Sequence, residues 1–114
     1  MKHQFEKNLK IINEIMTCLH KLGAKDINVR LEKSTSTTLF LISGEIDRIS
    51  ADELDNLTTM LNTDRQHEIE EYYWNLGGES ESDGELSLVG MMIDKAEITY
   101  SNNILNFKIY REES

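Results

Sequence analysis

The last third of the chain constrains the fold most, because residues 95–110 close on themselves in only one sensible register. Asn102-Asn103 is a natural two-residue hairpin turn, since asparagine tolerates the positive φ that both central positions need. That turn sets Tyr100 opposite Leu105, Ile98 opposite Phe107 and Ala96 opposite Ile109 on one face. On the other face Glu97 meets Lys108 and Thr99 meets Asn106. Apolar pairs on one side and an opposite-charge pair on the other specify an antiparallel hairpin with one dry and one wet face.

The N-terminus shows the other period. Phe5, Leu9, Ile12, Met16 and Leu19 form one seam, and Ile11, Ile15, Cys18 and Leu22 a second beside it. Together they cover about half of a helix circumference, and Gly23 follows as a left-handed stop. Asn8 falls inside the apolar arc, where a satisfied polar contact is expected. Ile27, Val29 and Leu31 alternate with Asn28, Arg30 and Glu32 as a half-buried strand, and Ser34-Thr35-Ser36 is a turn. Leu39–Ile42 runs continuously apolar, as a central strand does.

Two helices come next. Ser50-Ala51-Asp52-Glu53 is a capping box, and Thr63-Asp64-Arg65-Gln66 repeats the device. The first helix should bury Leu54, Leu57 and Leu61. The second, 64–76, should bury Ile69, Tyr72, Tyr73 and Leu76 and end at Gly77-Gly78. Leu86–Ile93 is expected to supply a further strand, with Gly90 at a bulge. The expected architecture is one α+β domain over residues 1–114, in two layers. An antiparallel sheet of about five strands carries helices on one face, in the order α-β-β-α-α-β-β-β.

Charge divides the chain unevenly. Residues 1–33 carry a net +3 and residues 45–97 a net −12, within a total of −9. Such an acidic block repels nucleic-acid phosphate and favours basic partners. The positive residues of 1–33 are spread over a helix and a strand without interleaved aromatics, so no nucleic-acid partner is expected. No run of eighteen apolar residues exists, so no membrane partner is expected either. The opening is polar and amphipathic rather than a secretion signal, and the lone Cys18 cannot form an internal disulfide; both point to a cytoplasmic protein.

Enzyme signatures are missing. There is no glycine-rich phosphate loop, no paired histidine motif and no second cysteine for a zinc site, so neither catalytic residues nor a cofactor is expected. The clearest functional feature is the second short helix. With Ile69 at 0°, Trp74 falls at about 140°, off the apolar stripe and among His67, Glu70 and Glu71. A tryptophan among carboxylates suits recognition of a basic protein surface, and packing under the following loop is its structural alternative. The loop that follows adds Glu79, Glu81 and Asp83 before Gly84. This alternation imitates the start of a calcium loop, but the position for its bidentate glutamate is Gly90 and the exit reads as a strand. Asp52, Glu53 and Asp55 are accounted for by the dipole of the helix they open.

The expectation is a small acidic, non-catalytic interaction module of adaptor, inhibitor or immunity type. It would bind through helix 64–76 and loop 77–85. A divalent-cation or small-ligand site built from Glu79, Glu81, Asp83 and Glu85 is the alternative. The polar strand face (Asn28, Arg30, Glu32, Glu97, Thr99, Lys108) reads as solvated, with a sheet edge as a candidate surface for a homodimer.

Overall fold

A computed structural model of the chain describes residues 3–75 and 86–113. The C-terminal hairpin has the expected register. Strands β3 (Lys95–Ser101) and β4 (Ile104–Glu112) pair Ala96 with Ile109, Ile98 with Phe107 and Tyr100 with Leu105. Asn102 and Asn103 take φ of 52° and 65°, the two left-handed residues that such a turn requires.

Helix α1 spans Gln4–Lys21, and Gly23 follows with φ 83°. Strands β1 (Lys25–Lys33) and β2 (Thr37–Glu45) come next, and the sheet order is β1-β2-β4-β3, antiparallel throughout. β2 is central, as its apolar run implied. Phe40, Ile42, Phe107, Ile109 and Leu105 face the helices and are fully buried. Asn28, Arg30, Glu32, Glu97, Thr99 and Lys108 lie exposed on the open face. Gly44 is needed where it stands: a Cβ there would lie 2.9 Å from the Ala24 Cβ and 3.3 Å from Leu19.

Helix α2 (Ala51–Leu61) begins with the expected cap, Ser50 Oγ accepting from the Glu53 N–H at 3.1 Å. It buries Leu57 and Leu61. Helix α3 is described over His67–Asn75 and starts three residues later than expected. Its approach is held by tertiary bonds instead of a second capping box: Gln66 N–H donates to the Met91 carbonyl, and Arg65 reaches Asp94 and the Glu112 carbonyl.

Leu86–Ile93 is not a strand. Leu86–Met92 forms a fourth helix, α4, so the described residues contain four strands and four helices in the order α-β-β-α-α-α-β-β. The reason is Gly90. It marks no bulge but the place where α4 crosses the end of α2, packed against the Met60 carbonyl and 2.7 Å (from an added Cβ) from Thr63 Oγ1. Leu86, Leu88, Val89 and Met92 are buried where α4 packs against α1, α2 and α3.

Candidate recognition surface

Two cations sit where the sequence pattern demands apolar side chains. Arg111 occupies the inward parity of β4, after Leu105, Phe107 and Ile109, and Lys7 lies on the buried arc of α1; both are fully buried. A buried cation is tolerated only with an anion and hydrogen bonds at hand. Glu70 of α3 supplies the anion. Arg111 grips its carboxylate with both terminal nitrogens, at 3.1 and 2.8 Å, while Lys7 Nζ donates at 2.9 Å. Arg65 adds a weaker contact at 3.3 Å. The remaining Arg111 bonds go to the Met92 carbonyl and to Gln4 at 2.9 Å. The carboxylate thus ties α1, α3 and β4 together, and Arg111 links α4 to them through the Met92 carbonyl. Burial alone would raise the carboxylate pKa, but the hydrogen bonds from Arg111 and Lys7 and the charges of Arg111 and Arg65 outweigh it and hold it at about 2. Held so strongly ionised by three cations, Glu70 has no basicity for proton transfer at neutral pH.

This hub fixes which face of α3 is outside, and it is not the expected one. Glu70 points inward, and Tyr73 and Trp74 pack at the margin of the core beside it. Lys7 lies 5.9 Å over the Trp74 ring, and His3 and Tyr73 tilt against that ring at centroid distances of 6.4 and 5.9 Å. Trp74 is therefore half-buried in contacts made by its own chain. Ile69 and Tyr72, expected to be buried, are 41% and 67% exposed. Glu68 and His67 are exposed with them, and Glu71 is exposed while its Oε1 takes a 2.5 Å bond from Lys7. The helix is turned so that Glu70 and Tyr73 meet the protein, while Ile69 and Tyr72 of the apolar stripe face out. The result is an exposed Ile69–Tyr72 pair with Glu68 and Glu71 beside it on one side.

The signal for this was present in the positions of Lys7 and Arg111. Two cations on inward-facing positions require an inward carboxylate, and α3 holds the acidic residues within reach of both. Leu76, Glu79, Glu81, Asp83 and Glu85 lie outside the described residues, and with them the acidic loop and its cation reading. Among the described residues no group of three or more His, Cys, Asp or Glu side chains is arranged to hold a metal ion. No described helix is long and apolar enough to cross a membrane.

A cleft of about 190 Å³ opens between α1 and α2, lined by Cys18, Leu22, Glu53, Asn56 and Leu57. Desolvation pushes the Cys18 thiol up to about 11, with Lys21 opposing and Glu53 adding to it. At neutral pH it is a protonated thiol, a poor nucleophile. Comparison with protein-family models and with curated proteins finds no match for this chain.

Proposed function

We propose that this protein is a non-catalytic interaction module that binds a basic protein surface through the outer face of α3. The observation that carries the reading is the exposure of Ile69 and Tyr72 beside Glu68 and Glu71, on a helix locked by the Glu70 hub. A tyrosine offers a large rigid contact that loses little side-chain entropy on binding, and flanking carboxylates select Arg or Lys on the partner. His67 lies at the start of the same helix, and the chain after α3 carries Glu79, Glu81, Asp83 and Glu85 to extend the acidic character. The net −12 of residues 45–97 would speed encounter with a basic partner and make it sensitive to salt.

The test is capture of partners by the immobilised full chain, wild type beside Tyr72→Ala, at low and moderate ionic strength. Wild type should hold a basic protein that salt releases. Tyr72→Ala should bind that protein about thirtyfold more weakly, as loss of a central aromatic contact does, with an unchanged melting temperature. A basic partner held equally by the variant rules out the α3 face as the binding site.

A further inference from the structure

We propose that two copies of the chain associate side by side through the free edge of β1, their α1 helices packing against each other across the axis. The α1–β1 flank is left conspicuously apolar. Phe5 and Leu9 are 57% and 47% exposed, Met16 is exposed in line with them, and Ile12 is half-buried between. Val29 of β1 is 42% exposed, although it points to the helix side of the sheet beside buried Ile42. α3 lies on the opposite flank of α1, where Lys7 meets Glu70 and Lys10 stacks over Tyr73. The Phe5–Leu9–Ile12–Met16 stripe therefore turns toward β1. The other sheet edge, β3, has α2 packed over it.

Two independent patterns place the axis at one level. Leu19 and Ile27 both border Gly44, while Gln4 at the other end of α1 reaches Arg111, which pairs with Thr38 and so lies level with Lys33. α1 thus runs antiparallel to β1. With rises of about 1.5 Å per helical residue and about 3.3 Å per strand residue, the two anchors put Leu31 level with about residues 8–10 of α1.

The strand has its own preferred self-pairing. With Leu31 opposite the partner's Leu31, Arg30 meets the partner's Glu32 and Glu32 the partner's Arg30. A slip of two residues one way opposes Arg30 to Arg30, and the other way Glu32 to Glu32; like charges opposite each other are unfavourable. Pairing further toward the N-terminus is blocked by the irregularity between Lys25 and Asn28, where Asp26 has φ 55°. The helix stripe pairs antiparallel with itself as Phe5 on the partner's Met16 and Leu9 on the partner's Ile12, centred between residues 10 and 11. One two-fold axis through Leu31 serves strand and helix together. It leaves the outer face of α3 free in both copies.

Sedimentation equilibrium of the full chain, at concentrations up to about 0.5 mM, should give twice the 13.2 kDa monomer mass. Leu9→Glu should leave only monomer with native circular dichroism. Arg30→Glu should weaken the dimer about tenfold, and Arg30→Glu with Glu32→Arg should restore it, since the swap recreates both opposite-charge pairs. A monomeric wild type overturns the proposal, as does a dimer indifferent to Leu9→Glu or to Arg30→Glu. Failure of the double swap to rescue overturns the register. Arg30 is a solvent-facing side chain, so the charge-swap arm stands even if Leu9→Glu fails to fold.

Discussion

Asn8 is fully buried in α1, and among the described residues neither its amide oxygen nor its nitrogen has a hydrogen-bond partner. The expectation of a satisfied contact fails here. The arc around Asn8 is built from Ile11, Ile12, Ile15 and Leu19, and apolar side chains offer no hydrogen bonds. An unpaired buried amide costs about 1–3 kcal/mol. Asn8→Leu, close in shape and without polar atoms, should therefore stabilise the protein by about 1 kcal/mol or more. Chemical denaturation would read this as a higher midpoint at constant slope, and a lower midpoint would mean that the amide has a partner in solution. Cys18 gives the matching kinetic expectation. Its thiol, raised to about 11 and 8% exposed at the foot of a cleft, should react with maleimide at pH 7 far more slowly than the denatured chain.

At the scale of elements, α4 and α3 show how packing overrides local pattern. Leu-Ser-Leu-Val-Gly-Met-Met-Ile is a short apolar run, which periodicity cannot divide between strand and buried helix. The decision lies in its neighbour: only a glycine lets α4 cross the last turn of α2 so closely, because any Cβ at residue 90 would enter the Met60 carbonyl. Gly90→Ala should cost about 3 kcal/mol or more by forcing the two helices apart, against the gain of a few tenths to 1 kcal/mol that alanine ordinarily brings to a helix interior. A thermal melt of the variant decides between these signs. In α3 the helix turns Ile69 and Tyr72 of its apolar stripe outward because Glu70 is the only described carboxylate that reaches both Arg111 and Lys7.

For the whole molecule, that carboxylate is the joint between layers. Replacing it with glutamine removes the buried carboxylate that Arg111 and Lys7 share, leaving Lys7 only the exposed Glu71 and Arg111 only Glu113 at 3.7 Å, and Glu70→Gln should destabilise the fold by about 3 kcal/mol. Its titration has a defined sign. The folded pKa, about 2, lies below the ordinary 4.5, so the native state holds the ionised form more tightly than the unfolded chain does. The stabilisation is complete above pH 4.5 and is lost as pH falls from 4.5 toward 2, amounting to about 3 kcal/mol across that window. Acid unfolding followed by circular dichroism should show a steep loss of stability there, and the slope should flatten in Glu70→Gln.

What the chain determined alone is what depends on residues close in sequence. The Asn102-Asn103 turn sets a register within the hairpin it joins. Gly23 stops α1 one residue past its cap, and Ser50 and Glu53 open α2 from three residues apart. The wet face of the sheet follows from alternation, since a strand's side chains must take turns. Tertiary structure decided everything that required a distant partner. Arg111 lies 41 residues from Glu70 and Lys7 lies 63, and their burial turned α3, exposed Tyr72 and Ile69, and drew Trp74 against His3 and Lys7. Gly90 acquired its role from Met60, thirty positions away in the chain. A local pattern says which side of an element is apolar; only the charges and backbones it meets decide which side faces in.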